Sequence, residues 1–323
     1  MLAELLAIAG GFALLTWSAD RFVVGASAIA YNLNISPLII GLTIVSLGTS
    51  APEILVSAVA AWQGNSGLAV GNALGSNIIN IGLVLGIAAL LTPLDVHSSI
   101  VRRELPVLLL IMVTALLLLL DGTLGRLDGA LLLTGMVLLL FWVTRVAIRS
   151  GDKRDPMSAE FAEEIPTDLG MGKAIFWVVA GALLLLLSSR LLVWGAVSIA
   201  HAMGVSDLVI GLTVVALGTS LPELAATVMS ALRNEHDIAI GNVIGSNMFN
   251  LLGVLGLPGL IHPAPIEAVV LTRDYPAMFG LTVMLFAMAY GLRGPRRINR
   301  LGGAILLTAF GAYQTLLYFH TLA

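Results

Sequence analysis

GLTIVSLGTSAPE at Gly41–Glu53 recurs as GLTVVALGTSLPE at Gly211–Glu223, 170 residues downstream and identical at ten of 13 positions. The same offset relates GNALGSNIIN at Gly71–Asn80 to GNVIGSNMFN at Gly241–Asn250. It also relates Arg103-Glu104-Leu105-Pro106 to Arg273-Asp274-Tyr275-Pro276, and Gly25 to Gly195. The chain is therefore an internal duplication, and each copy sets a glutamate, Glu53 or Glu223, among hydroxyls and amides in otherwise apolar sequence.

That apolar setting decides the fold class. The chain is 58% hydrophobic and 11% charged, with a mean hydropathy of +1.00, far from a soluble globular composition. Ten apolar runs are each long enough to be a membrane span. They lie at about 5–31, 37–61, 69–91, 105–120, 127–148, 174–200, 207–231, 239–261, 275–292 and 302–319. Runs so long and uniformly apolar exclude a membrane barrel, so the expected fold is an all-α polytopic membrane protein. Five spans per half is an odd number. The second half must then enter the membrane from the opposite side, giving two inverted five-helix repeats related by a pseudo-twofold axis in the membrane plane. The expected halves are 1–148 and 174–323, joined by a hydrophilic linker at 149–173 with room for a helical turn.

Charge placement orients these spans. Loops after the odd-numbered spans hold 12 of the 16 basic residues, and the opposite loops hold only Arg126 and Arg273. The basic side is expected to be cytoplasmic, leaving both termini outside and the linker inside. The start, MLAELLAIAGG, lacks a basic lead and reads as a retained first helix, not a cleaved signal. The basic residues thus report topology and not nucleic-acid binding. With no cysteine, disulfides and thiolate metal sites are excluded; there is also no P-loop and no hydrolytic or redox constellation, so no enzyme and no cofactor is expected. The expected partners are the lipid bilayer and small ions, with the protein a monomer or weak homo-oligomer.

Pro52 and Pro222 lack a backbone N–H and clash with the carbonyl four residues earlier, so both helices should kink or break there. Breaks inside a membrane are tolerated where they line a cavity. Inversion would bring the two breaks together, so that Glu53 and Glu223 face one cavity. Thr49 and Glu53 share a helical face with Ser50 alongside, and Thr219, Ser220 and Glu223 repeat the arrangement. A second stripe runs through Asn72, Ser76 and Asn80, and through Asn242, Ser246 and Asn250. Carboxylate, hydroxyl, amide and carbonyl oxygens suit a hard cation. Two carboxylates match one Ca²⁺, or two or more Na⁺ helped by neutral oxygens; Mg²⁺ fits less well. A competing role for one buried glutamate is structural, protonated or ion-paired between helices; its recurrence in both copies weighs against that. Asn72 and Asn242 serve equally well as helix–helix hydrogen-bonding groups, whereas Asn80 and Asn250 read as ligands. Asp20 and Arg190 occupy equivalent positions with opposite charge and mark divergence of the halves.

GTSAPE with GSNIIN and GTSLPE with GSNMFN resemble the two alpha repeats of the calcium/cation antiporter superfamily, in particular its prokaryotic sodium/calcium exchanger branch. The resemblance spans the whole chain. It implies ten helices, ion sites between helices 2, 3, 7 and 8, and Glu53 and Glu223 as the central calcium carboxylates. It further implies Thr49, Ser50, Ser76 and Asn80 as ligands from the first repeat, and Thr219, Ser220, Ser246 and Asn250 from the second. Carbonyls of Ser46 and Ala216 would be sodium ligands. Many relatives carry an aspartate where this chain has Asn250. The implied function is exchange of Na⁺ for Ca²⁺ across a prokaryotic inner membrane, with calcium efflux, and the alternative is H⁺/Ca²⁺ exchange. Spans 1 and 6, long and nearly free of charge, are the expected sliding elements. A channel fits less well, since no repeated pore loop is present, and a non-transporting scaffold less well still.

Overall fold

Wherever its backbone is assigned, the chain turns its apolar runs into helices that satisfy their own amides. In the computed structural model, residues 2–33, 48, 50–96, 104–150, 169–232, 236–290 and 296–322 are described. The helices of the first half are α1 (Leu2–Asn32), α2 (Ala51–Trp62), α3 (Ser66–Ile79), α4 (Gly86–Leu91), α5 (Leu105–Leu119) and α6 (Arg126–Ser150). Those of the second are α7 (Met171–Met203), α8 (Asp207–Ile210), α9 (Ala216–Thr219), α10 (Leu221–Leu232), α11 (His236–Phe249), α12 (Gly256–Ile261), α13 (Tyr275–Tyr290) and α14 (Arg300–Leu322). Every expected span contains helix. Among the described residues six are continuous helical stretches long and apolar enough to cross a membrane, two of them running through a π turn, and α8–α10 make a seventh if the bent pair counts as one span. α2 and α5 are apolar but shorter, and the first part of the second expected span lies outside the described residues. So does most of the linker, 151–168, including its expected helical turn.

Of the two expected breaks, the stretch ahead of Pro52 lies largely outside the described residues, and the one near Pro222 falls two residues ahead of it. Asp207–Thr219 and Leu221–Leu232 meet at 47° across Ser220. Pro222 is then in the first turn of α10, and Pro52 likewise in the first turn of α2 behind Ser50. An N–H would find no helical acceptor there, so proline starts a helix at no cost. π-helical turns, not expected from the sequence, follow α3 at Asn80–Leu85 and α11 at Asn250–Val254, positions 170 apart. The Leu255 N–H bonds the Asn250 carbonyl at 2.9 Å, five residues back. A π turn widens the helix and offsets its side chains, and such turns gather at functional sites. Others occupy Gly211–Val215 and Val270–Asp274.

Contacts between the halves recur in exchanged form. α1 and α7 run antiparallel in close contact. A methyl on Gly25 would lie 2.7 Å from the Ala174 carbonyl and 2.9 Å from the Val178 nitrogen. On Gly195 it would lie 2.8 Å from the Glu4 carbonyl and 3.0 Å from Ile8, residues 170 earlier. Two short antiparallel strand pairs join the halves: β1 (Leu94–Asp95) with β4 (Arg297–Ile298), and β2 (Thr123–Leu124) with β3 (Ala264–Pro265). Exchanging the halves turns one pair into the other, with β3 170 residues after β1 and β4 174 residues after β2. The buried centre is built on α3–α4 and α11–α12 with their π turns, while α1, α6, α7 and α14 expose large apolar side chains such as Leu138, Leu183 and Phe319. A contiguous apolar exterior of this kind suits lipid.

Arg273 departs from its expected loop. It lies in the π turn before α13, its side chain only 8% exposed. Its Nε and Nη2 donate to the two oxygens of the wholly buried Asp274 at 2.7 and 3.1 Å, and the Tyr313 hydroxyl donates to Asp274 at 2.9 Å.

Candidate cation site

The first turns of α2 and α10, the Ser220 break and the ends of α3 and α11 bring most of the expected side chains into the interior. Glu53 and Glu223 are each 1% exposed and interact electrostatically. Ser50, Ser76, Asn80, Thr219, Ser220, Ser246 and Asn250 are buried with them. Ser46 and Thr49 lie outside the described residues. One bond at the carboxylates crosses between the halves, the Ser220 hydroxyl donating to Glu53 Oε1 at 3.4 Å, and one lies within the second half, Ser246 donating to Glu223 Oε1 at 3.4 Å. Glu53 makes no ion pair with a basic residue among the described residues.

Asn72 is resolved as a bracing group. Its Nδ2 donates to the Glu53 carbonyl at 3.1 Å and to Ser57 at 2.9 Å, and its Oδ1 accepts from the Thr219 hydroxyl at 3.2 Å. It thus ties α3 to α2 and to the end of α9. Asn242 repeats part of this, donating to Thr227 at 3.1 Å, and Thr227 is the equivalent of Ser57. The Ala216 carbonyl accepts the Ser220 N–H at 3.0 Å and also lies 3.3 Å from the Thr219 hydroxyl. Two residues that sequence reasoning did not assign, Asn77 and Asn247, also enter the site, each bonded to an expected ligand of the other half. Their adjacency to the GSN serines was the available signal.

Five buried oxygens in this set have no hydrogen-bond partner among the described residues: Ser50 Oγ, Glu53 Oε2, Ser76 Oγ, Asn80 Oδ1 and Asn250 Oδ1. Leaving a buried polar atom unsatisfied costs about 1–3 kcal/mol, so five from one oxygen-only set point to a missing electrophile. Two carboxylates with hydroxyl and amide oxygens in a flexible set have the chemistry of a hard-cation site large enough for Ca²⁺ or Na⁺. Soft transition metals are not served, since no cluster of three or more His, Cys, Asp or Glu is present among the described residues.

Comparison with known proteins agrees with this chemistry. The profile of the family described as sodium/calcium exchanger protein matches residues 3–145 and 173–319. CaxA of Alkalimonas amylolytica is 52% identical over 318 residues, covering 98% of this chain and 99% of that one. The inner membrane protein YrbG of Escherichia coli is 43% identical over 310 residues, covering 95% and 94%. Among solved structures, the sodium-calcium exchanger NCX_Mj soaked with 10 mM Na⁺ and 10 mM Sr²⁺ matches with a TM-score of 0.64 and 32% identity, over 97% of this chain and 98% of that one. The family match covers both halves and leaves out the linker, and on that evidence this chain belongs to the sodium/calcium exchanger family of antiporters.

Proposed function

We propose that the protein exchanges Na⁺ for Ca²⁺ across a prokaryotic inner membrane by alternating access, with Glu53 and Glu223 as the shared carboxylates. The observation that carries this is the convergence of unsatisfied buried oxygens from both halves around two carboxylates. In this reading Ser50, Ser76 and Asn80, with Thr49, ligate from residues 1–148. Thr219, Ser220, Ser246 and Asn250 ligate from 174–323, and the carbonyls of Ser46 and Ala216 serve Na⁺. The name of NCX_Mj supports Na⁺ as the counter-ion, and that of YrbG supports the inner membrane. Ten spans in two inverted five-helix repeats are supported by the exchange-related strand pairs and glycine contacts. The excess of basic residues after odd-numbered spans supports a cytoplasmic 149–173 linker and external termini.

The decisive experiment is ⁴⁵Ca²⁺ uptake into proteoliposomes loaded with Na⁺, compared with K⁺-loaded or choline-loaded vesicles and with an imposed pH gradient. Uptake that requires internal Na⁺ and is lost in Glu53→Gln is expected. Uptake driven by the proton gradient without Na⁺ would overturn the choice of counter-ion and make the protein an H⁺/Ca²⁺ exchanger.

A further inference from the structure

Two amide pairs cross between the helices that hold the site. Asn250 Nδ2 donates to Asn77 Oδ1 at 3.1 Å, and Asn80 Nδ2 donates to Asn247 Oδ1 at 3.1 Å. Asn77 and Asn80 lie at the end of α3 and Asn247 and Asn250 at the end of α11, and all four are 1% exposed. The pairs are equivalent under the 170-residue offset. Each joins an asparagine that opens a π turn to one three residues upstream in the opposite half.

The consequence lies in the geometry of a primary amide. Its oxygen and nitrogen sit on opposite sides of the same carbon, so a partner that fixes the nitrogen also fixes the direction of the oxygen. In both donors that oxygen is one of the unpartnered atoms, Asn80 Oδ1 and Asn250 Oδ1. Rotating either amide by half a turn would present NH₂ to the site, and an N–H is repelled by a cation. Holding the nitrogen therefore decides whether the residue is a ligand. Asn77 is itself oriented, because its Nδ2 contacts Met278 Sδ at 3.4 Å and so turns Oδ1 toward Asn250.

We propose that Asn77 and Asn247 are positioning residues of the exchanger, which hold the amides of Asn250 and Asn80 with their oxygens toward the cation. This rests on the cation site proposed above. Each half then orients the neutral ligand of the other, so the oxygen set is complete only while α3 and α11 remain clasped.

The test is a Ca²⁺-dependent melting series on purified full-length protein, with ⁴⁵Ca²⁺ uptake alongside. Asn77→Leu and Asn247→Leu keep the shape and remove the acceptor; each is expected to raise half-saturating Ca²⁺ by about 10- to 100-fold, the usual cost of losing a group that orients a ligand. Asn77→Asp keeps the acceptor and is expected to stay much closer to wild type than Asn77→Leu. Adding Asn77→Leu to Asn250→Ala should change little, since the first acts only through the second. Equal weakening by the Asp and Leu variants, or multiplying effects in the Asn77/Asn250 double variant, would overturn the assignment. So would unchanged half-saturation in both Leu variants while Glu53→Gln abolishes the Ca²⁺ response. A Glu53→Gln protein that still responds like wild type would instead overturn the underlying cation site. If Asn77→Leu does not fold, Asn247→Leu makes the same test from the other half.

Discussion

Glu53→Gln removes one charge from the site while keeping side-chain shape and the acceptor used by Ser220. Its effect is computed best as a change in preference between two ions. Unit charges about 4 Å apart interact by about 4 kcal/mol at an effective dielectric of about 20. Loss of the carboxylate therefore costs a monovalent ion about 4 kcal/mol and a divalent ion about 8 kcal/mol. The desolvation of Glu53, itself several kcal/mol in a side chain 1% exposed, is relieved by the same amount whichever ion binds, so it cancels in the comparison. What remains is about 4 kcal/mol, or a roughly thousandfold fall in Ca²⁺ preference over Na⁺. The assay is thermal stabilisation of the purified protein, titrated separately with CaCl₂ and NaCl at constant ionic strength. Half-saturation for Ca²⁺ should move by about three decades more than that for Na⁺. Equal shifts for both ions would refute the charge argument, and no shift for either would remove Glu53 from the site.

Three further outcomes follow from the packing and charges around the site. In Gly71→Ala the new methyl would lie 2.4 Å from the Leu208 carbonyl and 2.9 Å from the Leu212 nitrogen, so stability should fall by about 1–3 kcal/mol, read as a lower melting temperature with far-UV dichroism retained. Arg273→Met strands the buried Asp274 and should cost about 3–5 kcal/mol, whereas Arg273→Met with Asp274→Leu should recover much of that in the same melt. Glu267 lines an open cleft of about 450 Å³ with Asp207 and Asn65; burial above all, then the Asp274 and Asp207 charges, hold its pKa above the usual value despite Arg273. Its native state keeps the proton more tightly than the unfolded chain, so stability is highest below the unfolded pKa and declines as pH rises through the native one. Glu267→Gln should accordingly raise the melting temperature at pH 7 and leave it unchanged near pH 3.5, a value chosen to lie about one unit below the ordinary glutamate pKa.

Hydropathy and duplication made the helical class and the two site glutamates readable from sequence, because both are written in residue types. The local path of the chain was less readable. Proline signalled a discontinuity, which in the second half lies at Ser220, with Pro222 in the first turn of α10 where its missing N–H is harmless. The residue types in NIGLVL and NLLGV, at Asn80–Leu85 and Asn250–Val254, do not by themselves distinguish a π turn from a continued α-helix. Arg273 and Asp274 are adjacent in sequence, and neighbours on a helix ordinarily face apart, so their bidentate pairing within the π turn was not legible. The asparagines were legible as polar residues, but their separate roles were not. Asn72 braces helices through three protein bonds, while Asn80 and Asn250 each leave an oxygen for a ligand. Residue type named the chemistry, and the direction of each amide divided it between structure and site.

The charge of the set also bears on why the proposed transport is exchange and not leak. When both are ionised, the buried Glu53 and Glu223 supply about −2, and Asn250 adds an oxygen without a third charge. One Ca²⁺ neutralises that set, and two Na⁺ do so equally. Either load can pass through an occluded, water-poor intermediate at little electrostatic cost. Without a cation, two carboxylates would have to face low dielectric together, at several kcal/mol each beyond their mutual repulsion. The helices that alternate access are thereby held back until one load has been replaced by the other. A third Na⁺ would rest on hydroxyl, amide and carbonyl oxygens alone and would carry a net positive charge through the same barrier. Affinity for it depends on how firmly those neutral oxygens are aimed. On the proposed reading, the clasp between α3 and α11 would then bear on stoichiometry as well as affinity, because in a site with two carboxylates the neutral ligands decide whether a further monovalent ion can be held.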